Sequence, residues 1–333
     1  MAQNNVVWHD DFAGGFDAAE GTGRWKFVEG GGHRADDGAV SASPDGLRVA
    51  SRGAGPDGAP AFIQTIPNEA DDPKGVPGTG DHAKWIVYAN HLADTGLQGF
   101  DARPGRVLTV GAVLGGRTHN TAAHPFGDAV ADPEDDPRLA AAMLNTIDPE
   151  TSVAFDFLVT NKTLYAFYGR TNFARRRLGD YASFAHTIPL ASRSPADRHT
   201  VFVAYDPEDG TARWFVEGAE VLRVDRIGHR LDRSTLTLDE GGEEAEVRPR
   251  QLSAGMGMLT LLDGSWPTGR GLVRLSSRAN YYAPEHGGPK AQSFVDEVSR
   301  DASRLFGQGA ELSIANYTVR SLERGTPLTA QPE

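Results

Sequence analysis

A lone acid in an otherwise apolar strand, Asp156 in Ser152-Val153-Ala154-Phe155-Asp156-Phe157-Leu158-Val159, is the side chain in this sequence best suited to proton transfer. Strand residues alternate between faces, so Val153, Phe155, Phe157 and Val159 share one side and Asp156 takes the other. A turn at Asn161-Lys162 pairs Val159 with Leu164 and Asp156 with Phe167, which sets Tyr165 and Phe167 beside the acid. A carboxyl group flanked by aromatic rings loses water; its pKa rises, which suits it to give or take a proton near neutrality. The plainer role is a structural aspartate bonded to loop backbone. His119 and His124, in the stretch Gly115-Gly116-Arg117-Thr118-His119-Asn120 and beyond, are the partners a covering loop would bring to it. Their spacing matches no usual metal-ligand pattern, and exposed loop histidines are the plainer role here too. His186 and His229, near strand ends, read as structural.

Tyr88, Met256 and Met258 are the expected walls of an apolar pocket over Asp156. Arg170, with Arg175, Arg176 and Arg177 beyond it, offers guanidinium groups to an anionic substrate, or simply a solvated turn. Zero cysteines exclude disulfides, thiolate catalysis and cysteine-bound metals. Gly30-Gly31-Gly32 and Gly241-Gly242 fit no phosphate-cradling pattern, and no G-x-S-x-G elbow is present. No cofactor and no metal are expected. Calcium, the one ion weighed, would draw on Asp10, Asp11, Asp36 and Asp37, but the late position that should join them is Asn316.

The elements that must position these groups are short strands. His199 to Gly228 reads as a meander: a strand through Val201, Val203 and Tyr205, the turn Asp206-Pro207-Glu208-Asp209-Gly210, a second strand to Val216, the corner Glu217-Gly218, and a third to Val224. Strands are also expected at Val6–Phe12, Lys84–Ala89, Arg106–Leu114, Leu252–Asp263 and Glu311–Leu322. The segment 115–150 reads as a lid-like insertion with a helix over 138–145, capped by Asp135 or Asp136 and Pro137. A second helix is expected between Ala291 and Phe306, an exposed charged stretch over 231–250, an irregular loop over 71–81 and a flexible tail over 323–333.

The Y-D turn and the Val216-Glu217-Gly218 corner resemble the concanavalin A-like lectin and glucanase superfamily. That resemblance implies an all-β jelly-roll sandwich of two antiparallel sheets, a single domain over 1–333, with the first and last strands side by side. FDFLVTNKTLYAFYGR, HTVFVAYDPEDGTARWFVEG and QLSAGMGMLTLLDG together resemble an uncharacterised bacterial domain family with no activity attached. Glycosidases of the superfamily carry E-x-D-x-x-E on one strand, a nucleophile or base with a proton donor. The corresponding strand here holds only Asp156.

The chain has 333 residues and a net charge of −12, which argues against nucleic acid or an anionic membrane as partner. No stretch approaches the roughly 20 apolar residues of a membrane span. Without a basic and apolar leader at Met1–Asn5, a cytoplasmic location is expected, and the arginine bias suggests a GC-rich bacterial genome. The leading expectation is therefore a cofactor-independent acid–base enzyme, a cyclase or isomerase acting on an apolar small molecule over Asp156. The alternative is a non-catalytic carbohydrate- or ligand-binding module, with Trp85, Trp214 and Trp266 as sugar-stacking candidates; a glycoside hydrolase or lyase ranks below it. An association-only sandwich with no pocket is the remaining structural reading.

Overall fold

Alternation of apolar residues sets the architecture. In the computed structural model, which describes residues 5–30, 32–66, 78–276, 280–283 and 290–328, the hairpin of Val153–Val159 and Thr163–Arg170 has the expected register. Asp156 lies opposite Phe167 and Val159 opposite Leu164. Val153, Phe155, Phe157, Val159, Leu164, Ala166 and Tyr168 enter the main core, while Ala154, Leu158, Tyr165 and Phe167 pack in a separate cluster on the other face.

Two antiparallel sheets enclose that main core. The first sheet runs Ala219–Val224, Thr211–Val216, Arg198–Asp206, Arg106–His119, Gly309–Glu323, Gly46–Ser51 and Gly38–Ser43, with Val6–Asp10 also paired to Gly309–Glu323. The second runs Leu236–Asp239, Phe184–Ser192, Thr163–Arg170, Val153–Val159, Ala141–Ile147, Gln251–Leu259, Ala83–Ala89 and Trp25–Phe27. The topology is a jelly-roll-type β-sandwich, and the expected pairing of early and late strands is present, His9 opposite Thr318. No helix among the described residues is long and apolar enough to cross a membrane.

Several expectations are corrected. Arg138–Asn145 is not a helix: Ala141–Ile147 is a strand between Val153–Val159 and Gln251–Leu259. Two flanking strands and burial on both faces override the Ala/Leu propensity for helix. The insertion at 115–150 therefore shrinks to a connection, since 115–119 extend the strand Arg106–His119. The Ala291–Phe306 helix is replaced by a short strand, Phe294–Asp296, and one helical turn, Asp301–Arg304. Val298, placed on an apolar helix face, is 71% exposed. Within 231–250, Leu236–Asp239 is a largely buried edge strand. Beyond Glu323, Leu328 is buried against Val107, Phe202 and Leu322; residues 329–333 lie outside those described, as does most of the 71–81 loop.

Candidate functional site

Asp156 faces away from the main core, as the alternation requires, but it does not face a cavity among the described residues. It is 3% exposed. Its Oδ1 accepts the Thr146 backbone N–H at 2.7 Å, and the Asn145 side-chain amide also bonds to the carboxyl group. Burial pushes its pKa up to about 8 despite those two donors. Tyr165 and Phe167 stand beside it and are themselves buried. The Tyr165 hydroxyl donates to Asp135, and the Trp266 ring meets the Tyr165 ring edge-on at 5.9 Å. Tyr88 reaches the same row: its ring lies across Gly255, where an added Cβ would meet Tyr88 Cδ1 at 2.6 Å. Burial, and after it the nearby Asp156 carboxyl, raises the pKa of the Tyr88 hydroxyl. Asp156, Tyr165, Phe167 and Tyr88 thus share one face, and the first three are buried on it.

The other expected partners are elsewhere. Met256 and Met258 are corrected: their strand alternates so that Leu252, Ala254, Met256 and Met258 fill the inter-sheet core, away from Asp156. His119 lies on the first sheet, where Nε2 is 2.8 Å from Glu311. Sheet 1 and sheet 2 present His119 and Asp156 on opposite outer faces, so they cannot act together. His124 accepts the Phe126 backbone N–H on Nδ1 and stacks on the Phe126 ring; burial lowers its pKa. Arg170 is buried, stacked 3.8 Å over the Tyr181 ring and donating to the Thr151 carbonyl. Trp85 and Trp214 are fully buried, which removes them as sugar-stacking surfaces. His186 is buried and bonded to the Leu231 N–H, its pKa pushed down to about 3 by burial. His229 pairs with Glu244. Asp10 accepts from the Phe12 N–H and the Trp25 indole N–H, and Asp37 Oδ2 from the Ile63 and Gln64 N–H groups, and no group of three or more metal-ligating side chains gathers among the described residues.

The connection after Gln251–Leu259 crosses the outer face of the second sheet and is strapped there. Asp263 receives His82 Nε2 at 2.6 Å and the Tyr281 hydroxyl at 2.9 Å, and Ser265 N–H donates to the Thr237 carbonyl. Burial disfavours the charged imidazole of His82, but the Asp263 carboxylate outweighs it and raises the pKa. His82 and Asp263 are 181 positions apart, and no local pattern joins them.

An open site lies on the outer face of the first sheet. Cross-strand register brings Ser41, Arg48, Ser313, Gly115 and Arg198 into one row. Arg117 and Glu311 form the next pair along it. All of these but Ser41, with Ser43, Asp45, Gly46 and Asp197, line a groove of about 410 Å³. Its floor is Gly115 and Ser313, small enough to let a ligand reach the sheet. Arg48 pairs with Glu311 at 3.0 Å, His119 holds the same carboxylate, and Arg198 donates to the Asp45 carbonyl at 3.3 Å. Arg117 is exposed and makes no ion pair among the described residues. A second cleft, beside Phe100 and Arg106, differs in that its arginines are already spent: Arg103 on Asp94 and Asp101, Arg106 on Ser321 and Asn5.

"Uncharacterized protein L829" of Acanthamoeba polyphaga mimivirus is 25% identical over 286 residues, 70% of this chain; the chain spans 61% of the length of that relative. Among solved structures, LamAcat from Zobellia galactanivorans superposes over 95% of this chain and 98% of its own, at 8% identity and a TM-score of 0.41. The Bacillus licheniformis β-glucanase covers 97% and 100%, at 10% identity and a TM-score of 0.36. A family profile described as "Family of unknown function (DUF6081)" matches residues 9–323.

Proposed function

Because the chain belongs to that family of unknown function, whose description supplies no activity, we propose a function from the side chains themselves: a lectin-like module that binds a polyhydroxylated, saccharide-type ligand in the groove over Gly115 and Ser313. The observation that supports this most is the contrast between the two outer faces. Asp156 is buried and its carboxyl group is bonded to the Thr146 N–H and the Asn145 amide, which removes the motive for a cyclase or isomerase there. The groove is open, and Ser43, Asp45, Arg48, Arg117, Asp197, Arg198, Glu311 and Ser313 line it together with glycines and the small apolar surfaces of Pro195, Ala196 and Leu312. Serine hydroxyls, guanidinium N–H groups and carboxylate oxygens alternate across neighbouring strands, and such an array can donate to and accept from the hydroxyls of a sugar.

The test is a glycan array followed by calorimetry on the full chain. Binding is expected for the chain and loss of at least about tenfold in affinity for Arg117→Ala and Gly115→Val, with unchanged melting behaviour for the arginine variant. No glycan bound, or binding indifferent to both substitutions, would refute the reading.

A further inference from the structure

We infer that the ligand of this groove carries a carboxylate, as an acidic saccharide does, and that Arg117 is the residue that reads it; the inference rests on the saccharide reading of the groove. Three arginines stand round Gly115: Arg198 directly across one strand boundary, Arg48 across the other beyond Ser313, and Arg117 one step along the same face. They are not equivalent. Arg48 is engaged by Glu311, and Arg198 is turned to the Asp45 carbonyl. Arg117 alone of the three keeps its planar fork uncommitted among the described residues, above a floor with no side chain larger than serine.

Of the acids that line the groove, Glu311 and Asp197 already hold donors, while the Asp45 carboxylate makes no ion pair among the described residues. Glu311 takes Arg48 and His119, and Asp197 accepts the Ser194 backbone N–H at 2.6 Å. A guanidinium with five donors in a fixed plane matches a carboxylate through two parallel bonds. No aromatic side chain lines the groove, so the stacking that holds a neutral sugar ring has no platform here. Charge-assisted bonds are what remain to supply affinity. The chain's net charge of −12 repels an anion at long range. Selectivity must therefore come from contact at Arg117 and not from steering, and changing the salt concentration is a poor test.

A cleaner comparison keeps the sugar skeleton and removes the charge. Uronate oligosaccharides and their methyl esters are titrated calorimetrically into the full chain and into Arg117→Ala and Arg117→Lys variants. The free acids are expected to bind about tenfold or more tightly than the esters. Arg117→Ala should abolish that preference while leaving ester binding in place, and Arg117→Lys should restore part of it. Equal affinity for acid and ester, or a preference that survives Arg117→Ala, overturns the inference and leaves the saccharide reading standing. Failure of both acids and esters to bind overturns the two together.

Discussion

At the scale of single residues, Asp156 has the clearest consequence. Its carboxyl group is buried, and burial raises the pKa from 3.8 to about 8. The folded chain therefore holds a proton that the unfolded chain releases between those values. This contribution to stability is present in full at low pH and is lost as pH rises towards 8, at up to about 1.4 kcal/mol per pH unit. The Asn145 Oδ1 is buried without a partner. With that amide turned over, a neutral Asp156 hydroxyl can donate to it. Asp156→Asn keeps the acceptor for Thr146 N–H and supplies a donor for Asn145 without any charge. The variant should match the parent near pH 4 and exceed it in stability by about 1 kcal/mol or more at pH 8, measured by urea denaturation across that range. A variant less stable than the parent at pH 8 would show that Asp156 is ionised and needed in that state.

At the scale of elements, period-two alternation explains both what could be read from the sequence and what could not. The hairpin through Asn161-Lys162, its register and the side on which Asp156 emerges follow from alternation and one short turn, so they were legible. The strand Ala141–Ile147 was not, because a strand buried on both faces loses the alternating signature and its alanines and leucine look helical. The strap of His82, Asp263 and Tyr281 depends on contacts between distant segments, and the row of arginines depends on the register of four strands. No local pattern encodes either. Neighbouring glycines test the alternation directly. Gly116 points inward, where an added Cβ would meet Ala142 Cβ and Val159 Cγ2 at 2.9 Å. Gly115 points outward, with the Arg198 side chain at 3.1 Å as its nearest neighbour. Gly116→Val should therefore destabilise by about 1–3 kcal/mol through overpacking. Gly115→Val should cost less, because its added Cβ meets Arg198 Cγ at 3.1 Å and the Asp197 carbonyl at 3.2 Å, looser contacts than those at Gly116. Equal losses in the urea midpoints of the two variants would contradict these assigned faces.

For the whole molecule, the strand Gly309–Glu323 carries most of the long-range pairing of the first sheet. It binds Arg106–His119 along one edge, and Gly46–Ser51 and Val6–Asp10 along the other. It also buries Leu312, Ile314, Tyr317 and Val319 in the main core. A chain ending at Gln308 should therefore show no cooperative urea transition and no near-ultraviolet circular dichroism. A sharp transition in that truncated chain would mean that the remaining strands can close the sheet without it. The groove would vanish with this strand, since Ser313 and Glu311 form part of it.

The same placement has a bearing on biogenesis. On the ribosome, the segments at 46–51 and 106–119 emerge about 200 or more residues before the strand that will lie between them. Their hydrogen-bonding edges must wait, unpaired, until residue 323 has been translated. Such a nascent chain is a natural client for holding chaperones, and slowing elongation over the final third of the message should lower its soluble yield.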